Sequence, residues 1–279
     1  MKLSRKFALG VSAVLLAAAI GFVSCGTEDD DDEAGAISGS GSNYKVAYKN
    51  VGEKEYRAYK TTSTKHYAAI VEVTMNVNNT VAGEKDGVMG FIWNLQKSSE
   101  ENVKNNPKAR DFFIAGCDYK DGFRYYVSKF ENVTDMQAEN FGTKLDSNPA
   151  TETQITKSSN AGWISSSAIT KDDNNVVKFY LDVYPIDETG TKLEKEADIT
   201  SKAVGYGLQI YKSYDAKNGL SDPINESPLT IKDIFTVKEG KSSIEQQTNA
   251  VYAQVAAGKQ LNGTWKYIKS YGAAEVVED

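Results

Sequence analysis

Hydrophobic and polar residues alternate with a period of two along most of the chain, and turn sequences interrupt the alternation. The segments 69–77, 177–183 and 204–210 each place apolar residues at every second position. This alternation is typical of antiparallel strands with one buried face. The segment 87–96 is apolar on both faces and predicts a central strand. Eight or more such strands without intervening helices predict an all-β fold, namely a two-sheet antiparallel β-sandwich of the jelly-roll type.

Turn and helix signals divide this pattern. Residues 118–122 separate two strand-like runs, and the Asp-Gly pair at 121–122 supplies the positive φ angles of a tight hairpin. The acidic and amide residues 172–175 mark another turn. The tetrapeptide at 243–246 has the form of a capping box, which predicts a short C-terminal helix over 244–257.

The first 24 residues predict a secretory signal peptide. Lys2, Arg5 and Lys6 form a basic start, 7–22 is almost wholly apolar, and small residues surround Cys25. A helix needs about 20 apolar residues to cross a bilayer, so this core is too short for a permanent anchor. Removal of the segment is therefore expected.

Around Cys25 the sequence resembles a bacterial lipoprotein signal, in which a hydrophobic residue stands three positions before a cysteine. Phe22 replaces the usual leucine and Val23 is bulkier than usual, a relaxed pattern similar to that of spirochaete lipoproteins. The resemblance implies that Cys25 is lipidated, with palmitate among its acyl chains, and becomes the first residue of the mature chain. It also implies a lipid anchor in the bacterial cell envelope, at the outer membrane, with the protein on the extracytoplasmic side.

Composition divides the remaining chain into a tether and one domain. The six acids at 28–33 and the Gly, Ser and Ala residues that follow cannot bury apolar surface, so 25–43 is predicted to be a tether. Residues 44–279 are predicted to form the β-sandwich domain. The formal charge of −6 becomes −9 once the three basic signal residues are removed, and the six acids carry −6 of that total. Because the domain lacks clustered Lys and Arg, nucleic acid is excluded as a partner.

Two cysteines and one histidine restrict the chemistry that the chain can perform. If Cys25 is acylated, Cys117 has no disulfide partner, and its apolar surroundings predict a buried, inert thiol. His66 is interpreted as a polar residue at a strand end, and a single histidine excludes HExxH zinc chemistry. The acidic turns at 118–121 and 172–175 offer oxygen ligands for calcium but lack the spacing of a calcium loop. They are interpreted as plain turns, and no cofactor is expected.

Catalytic motifs are absent from the sequence. Glu72 and Asp182 are the strand carboxylates, and each is isolated among neutral neighbours along the chain. A glycosidase needs two carboxylates about 5 to 9.5 Å apart. There is no GxSxG motif and no phosphate-binding loop. An enzyme, which would be of the glycoside hydrolase class, is therefore the third hypothesis for function.

Several of the 16 tyrosines fall on the polar side of their predicted strands. A flat aromatic ring stacks on the apolar face of a sugar, while amides, carboxylates and guanidinium groups bind the hydroxyls. Tyrosine is also a favoured strand residue whose ring shields a sheet, and this simpler explanation fits the pattern as well. The candidate ligand-binding residues are Arg124, Tyr126, Tyr180, Asp182, Tyr184, Gln209 and Tyr211.

The glycine-led apolar strand at 87–95 and the aromatic strand at 123–128 look like those of concanavalin-type and carbohydrate-binding-module sandwiches. That resemblance implies saccharide binding on a concave sheet face or at loop tips. The leading hypothesis is a lipid-anchored binding or adhesion module for a glycan or a host-surface ligand. The alternative is a structural or assembly lipoprotein that binds another envelope protein.

Overall fold

A computed structural model describes residues 36–78, 83–99, 104–105, 108–133 and 164–272. The predicted signal peptide, Cys25 and the acidic block lie outside the described residues. Both sheets lie within the compact unit Asp32–Asp279.

Sixteen strands and a seven-residue helix, α1, follow one another along the described residues. In chain order these are β1 (Ile37–Ser40), β2 (Asn43–Lys49), β3 (Tyr56–His66), β4 (Ala68–Asn76), β5 (Gly87–Lys97), β6 (Arg110–Tyr119), β7 (Phe123–Val133), β8 (Ile164–Ser166), β9 (Val176–Ile186), α1 (Glu196–Lys202), β10 (Gly205–Asp215), β11 (Gly219–Pro223), β12 (Leu229–Ile231), β13 (Val237–Lys238), β14 (Lys241–Ser242), β15 (Gln247–Val255) and β16 (Gln260–Tyr271).

The strands form two large antiparallel sheets. The eight-stranded sheet has the order β1-β2-β16-β4-β9-β10-β11, and β12 also pairs with β10. The six-stranded sheet has the order β3-β15-β5-β6-β7-β8, and β13 and β14 form a separate small hairpin. The predicted all-β, two-sheet antiparallel sandwich of the jelly-roll type is confirmed.

The inward faces of the two sheets share one hydrophobic core. Trp93 of the six-stranded sheet stacks on Phe113 at 5.6 Å and meets Tyr206 of the eight-stranded sheet edge-on at 6.2 Å. Trp265 donates a hydrogen bond of 3.0 Å from Nε1 to the carbonyl oxygen of Gly90, across the two sheets. Trp93, Phe113, Tyr206 and Trp265 belong to this core. Gly90 is buried beside them. The prediction that Trp93 belongs to the core is confirmed.

Strand β5 is central, as its two apolar faces predicted. It lies between β15 and β6. Its inward side chains, such as Phe91, join the shared core, whereas Val88 and Ile92 join a second buried apolar cluster on the outward face of the six-stranded sheet. A strand that is buried on both faces needs apolar residues on both, which explains the continuous run.

The predicted C-terminal helix over 244–257 is wrong, because this segment forms β15 between β3 and β5. Every residue from Asn249 to Val255 is buried. A short apolar run with no polar face fits a buried strand as well as a helix segment, and periodicity does not distinguish them. The neighbouring strands β3 and β5 supply hydrogen-bonding partners along both edges, and these favour the strand. Helix α1 begins with Glu196 and Asp198 and ends with Lys202, in the order that a helix dipole favours.

The predicted tether also ends earlier than residue 43. Strand β1 pairs with β2, so residues 37–40 belong to the edge of the eight-stranded sheet. The turn between the two strands is Gly41-Ser42, with φ of Gly41 at 61°, a geometry that favours glycine in a two-residue hairpin. At Gly39 a Cβ atom would lie 2.3 Å from the carbonyl oxygen of Asn43. Strand β1 therefore requires glycine at position 39. The glycine-rich composition that predicted a flexible tether is, at this position, a requirement of strand pairing.

Within the described residues no helix is both long and apolar enough to span a membrane.

Cys117 is expected to be inert towards thiol reagents in the folded protein. The side chain is fully buried in β6, and burial raises the pKa of its thiol well above the ordinary value, with the neighbouring Asp118 carboxylate acting in the same direction. Only the thiolate reacts. In a chain carrying Cys25→Ser, we expect Ellman's reagent at pH 8 to modify Cys117 only after urea is added. An exposed Ser221→Cys variant serves as the control and should react at once, whereas stoichiometric labelling of native Cys117 would contradict the burial.

Candidate functional site

The seven predicted site residues lie on two separate surfaces. Strands β9 and β10 carry five of them on the outward face of the eight-stranded sheet, and β7 carries two on the outward face of the six-stranded sheet. Because the sheets pack through their inward faces, the outward faces point in opposite directions. The predicted residues therefore do not form one site. The first group, called the β9–β10 face below, consists of Tyr180, Asp182, Tyr184, Gln209 and Tyr211.

The register between β9 and β10 brings these five residues together. Tyr211 pairs with Tyr180, and Gln209 pairs with Asp182. Tyr184 pairs with Gly207, where a Cβ atom would lie 2.4 Å from the tyrosine ring. Directly opposed side chains in antiparallel strands are in contact. The alternation predicted from the sequence thus produces a continuous patch of aromatic and polar groups.

Asp182 is the buried centre of an ionic network on this face. Its carboxylate accepts hydrogen bonds of 2.7 Å from the Lys192 ammonium and 2.7 Å from the Tyr271 hydroxyl. The Lys192 Nζ lies 4.8 Å from the ring centre of Tyr184 and 5.2 Å from that of Tyr271. Burial raises the pKa of the Asp182 carboxyl, and the bonds to Lys192 and Tyr271 oppose that rise. The side chains of Asp182 and Tyr184 are therefore occupied by contacts within the protein.

A tight turn after β9 places Lys192 over the sheet. The Asp187 Oδ1 atom accepts hydrogen bonds from the backbone N–H groups of Thr189 and Thr191, both at 2.9 Å. Gly190 has a φ angle of 88°, which glycine adopts without strain. The chain then returns, and Lys192 pairs with Ile186. Sequence reasoning missed Lys192, although the Asp-Glu-Thr-Gly turn signal at 187–190 shows where the chain reverses.

Tyr180 is bound to the neighbouring strand. Its hydroxyl donates a hydrogen bond of 2.9 Å to Glu72 of β4, and the Lys178 ammonium lies 3.1 Å from the same carboxylate. The ring packs at 5.9 Å from that of Tyr214. Glu72 and Lys178 were not among the predicted ligand-binding residues. Their cross-strand positions could be found only once β4 was known to pair with β9.

The candidate residues include four tyrosines on the polar side of their predicted strands, and three of these are buried rather than solvent-facing. The exposed fractions of Tyr126, Tyr180 and Tyr184 are 1%, 3% and 5%. Neighbouring aromatic rings and Lys192 pack against Tyr180 and Tyr184, and outward-pointing side chains of a sheet become buried when such groups lie over them. Tyr211 remains half-exposed.

Tyr211, Gln209 and Lys178 form the accessible part of the β9–β10 face. The Tyr211 hydroxyl donates a hydrogen bond of 2.8 Å to the Gln209 Oε1 atom. The Gln209 Nε2 atom donates to the carbonyl oxygen of Asn225 at 3.2 Å. These bonds fix the orientation of the ring and of the amide before any ligand arrives. The Lys178 side chain is 52% exposed on the same face, two positions before Tyr180, and its ammonium is directed to Glu72 of β4.

Arg124 and Tyr126 lie on the outward face of the other sheet. Arg124 forms a two-point ion pair with the buried Asp118, with Nε to Oδ1 at 2.8 Å and Nη2 to Oδ2 at 2.5 Å. Tyr126 packs over Gly116, where a Cβ atom would lie 2.2 Å from the ring. Both residues are therefore integrated into the packing of the six-stranded sheet.

The carboxylates of Glu72 and Asp182 are less isolated than the sequence indicated. Glu72 pairs with Tyr180, and Asp182 pairs with Ile70, so the carboxylates occupy diagonal positions on adjacent strands of one face. Each of them contacts a lysine and a tyrosine hydroxyl, and Asp182 is fully buried. Water and substrate do not reach a carboxylate in that position. The pair therefore lacks the accessible acid and base that glycoside hydrolysis requires.

The remaining candidates from the sequence have local structural contacts. His66 is the last residue of β3, as its strand-end interpretation required, and its Nε2 atom lies 2.7 Å from the Thr64 hydroxyl. Asp172 Oδ1 accepts the backbone N–H groups of Asn174 and Val176, and Asp121 Oδ1 accepts that of Gly83. In the part of the chain that the structure describes, no group of three His, Cys, Asp or Glu side chains is placed to hold a metal ion.

Comparison with known proteins yields little. No protein-family model matches the chain, and no curated protein matches it. Among solved structures it is similar to a functionally unknown protein from Saccharomyces cerevisiae, with 9% identity, 86% of this chain and 93% of that chain covered, and a TM-score of 0.31. It is also similar to a variant of the alginate lyase Aly36B in complex with an alginate tetrasaccharide, with 8% identity, coverage of 81% and 78%, and a TM-score of 0.30. Scores this low assign no function to the chain.

Proposed function

We propose that this chain is a lipid-anchored, extracytoplasmic binding module that recognises a glycan through the accessible part of the β9–β10 face. The observation that carries the proposal is the half-exposed Tyr211 ring, whose hydroxyl is held by the Gln209 amide at 2.8 Å. An aromatic ring beside fixed hydrogen-bonding groups suits a sugar, which has an apolar CH face and polar edges. Lipidation at Cys25 would hold the sandwich at the membrane.

The described surface favours a polar ligand over an extended protein interface. Val51 and Val237 are the large apolar side chains that it exposes, with exposed fractions of 85% and 38%. They lie far apart in the sequence: Val51 is in the loop after β2, and Val237 is in β13 of the small hairpin. Contiguous exposed apolar patches mark protein-binding sites, and these two side chains do not form one. We therefore keep the glycan as the proposed ligand in preference to another envelope protein.

Replacing Tyr211 by alanine is expected to weaken glycan binding without unfolding the protein. Stacking of an aromatic ring is worth about 1 kcal/mol, which corresponds to about a fivefold change in affinity. Substitution of a half-exposed side chain is expected to change the free energy of unfolding by only about 0.5 kcal/mol. The measurement is a glycan array with a soluble chain that starts at Asp32, followed by titration of each hit by calorimetry.

The control for this experiment is Tyr48→Ala, which removes another half-exposed tyrosine, on β2 of the same sheet. We expect it to leave affinity unchanged. Equal affinities of wild type and Tyr211→Ala for a confirmed glycan would disprove the β9–β10 face as the site. An array without any hit would count against a glycan ligand.

A further inference from the structure

A cleft opens at the edge of the sandwich, next to the Gln209 end of the β9–β10 face. It has a volume of about 500 Å³ and lies between β8 of the six-stranded sheet and the segment that joins β11 to β12. Strands β8 and β12 each contain three residues. Among the described residues, β8 is the terminal strand of the six-stranded sheet, and the cleft lies beside it. Small-molecule sites typically have volumes of about 300 to 1,000 Å³, so the cleft is large enough for a ligand.

The lining of this edge cleft is apolar at the floor and polar at the rim. Tyr125 belongs to the shared core, and Ile224 and Leu229 pack against that core. The rim is more exposed and offers hydroxyl groups from both walls, Ser165 and Ser166 on one side and Ser227 on the other. Such a lining suits a ligand with an apolar face and several hydroxyl groups.

The wall between β11 and β12 is held in place before any ligand binds. Asn225 is buried, and its Oδ1 atom accepts a hydrogen bond of 2.9 Å from the backbone N–H of Ile210. Its Nδ2 atom donates to the carbonyl oxygen of Ser227 at 2.8 Å. A wall that is already ordered loses little entropy on binding, which favours affinity for a small ligand.

The charge of the lining disfavours an anionic ligand. Glu226 carries the negative charge at the rim, and none of the described residues that line the cleft is a lysine or an arginine. The phenol of Tyr125 stays neutral, since burial raises its pKa. A carboxylated or sulfated sugar would be repelled by Glu226, whereas a neutral sugar would find hydroxyl and carboxylate acceptors.

We propose that the edge cleft binds a neutral mono- or disaccharide, with the Tyr125, Ile224 and Leu229 side chains under the sugar and the serine hydroxyls and Glu226 at its rim. This site goes beyond the proposed function, because none of its residues belongs to the β9–β10 face. The Gln209 side chain bonds the Asn225 carbonyl, so the two sites are neighbours. Tyr211→Ala separates them, because Tyr211 is not among the residues that line the cleft.

The test is saturation-transfer NMR on the soluble chain from Asp32, with maltose, lactose and cellobiose as neutral probes and galacturonate as the anionic probe. Ser227→Trp fills the cleft, and Ser165→Trp fills it from the opposite wall. The matched control is Ser221→Trp, which adds the same ring at an exposed position of β11 that does not line the cleft. We expect at least one neutral probe to give saturation transfer with the wild type. Its affinity should fall at least tenfold in both cleft variants. Its affinity for Ser221→Trp and Tyr211→Ala should equal that for the wild type.

Glu226→Gln tests the charge selectivity. We expect galacturonate to give transfer with this variant and not with the wild type. The proposal is overturned if no neutral probe gives transfer, or if transfer persists in whichever of Ser227→Trp and Ser165→Trp remains folded. Loss of transfer in Tyr211→Ala alone would assign the sugar to the β9–β10 face instead. Binding of galacturonate by the wild type would overturn the preference for a neutral ligand.

Discussion

Replacement of Trp93 by alanine is expected to lower the free energy of unfolding by about 3 to 5 kcal/mol, the usual cost of truncating a buried tryptophan. The side chain is fully buried and contacts Phe91, Phe113 and Tyr206, so it packs between the two sheets. A domain of this kind is stable by about 5 to 15 kcal/mol, so the loss is a large part of the total. Urea unfolding followed by circular dichroism measures it.

Two further variants make the Trp93 experiment specific. Trp93→Phe retains an aromatic ring and removes the Nε1 donor, which has no hydrogen-bond partner among the described residues. We expect this variant to lose on the order of 1 kcal/mol, because the cavity is smaller and no bond is broken. Val51→Ala, at an exposed site, should stay within about 0.5 kcal/mol of wild type. Wild-type stability of Trp93→Ala would mean that the two sheets do not pack around this ring.

Replacement of Cys25 by alanine is expected to release the protein from the membrane. A single acyl chain binds membranes only marginally, so stable attachment depends on the several chains that lipoprotein processing attaches at one cysteine. Expression in a bacterial host, labelling with radioactive palmitate and fractionation would measure the effect. We expect the wild type to be labelled and membrane-bound, and Cys25→Ala to be unlabelled and soluble.

Cys117→Ala is the matched control for the anchoring experiment, because it removes the other cysteine and leaves Cys25 in place. It should remain labelled and membrane-bound. If Cys25→Ala still incorporated palmitate and sedimented with membranes, the lipoprotein proposal would fail. The glycan proposal would survive that result, since it depends on the β9–β10 face alone.

Most of the strands could be predicted from the sequence because a half-buried strand records its two environments in alternate residues. The alternation at 177–183 correctly separates the core residues of β9 from the outward-facing Tyr180 and Asp182. The doubly apolar run of β5 correctly predicted a central strand. Glycine and acidic turn residues marked reversals of the chain, including the hairpin at 118–122.

The sequence could not show which strands become neighbours, and the candidate site depends on that. Glu72 reaches Tyr180 across 108 positions of the sequence, and Tyr271 reaches Asp182 across 89. For the same reason the capping-box pattern predicts a helix over 244–257 where the chain forms β15, because the partner strands β3 and β5 lie far away in the sequence.

By itself, the sequence determined the fold class, the core position of Trp93, the buried state of Cys117 and the side of each strand on which the site residues lie. The tertiary structure alone decided that Arg124 and Tyr126 face away from the other five candidates, and that Lys192 covers Asp182 while Tyr211 stays accessible. The physical reason is that alternation reports only whether a side chain is turned inward or outward. Sheet membership, register and the loops that cover a face follow from contacts between distant segments, and no local pattern records them.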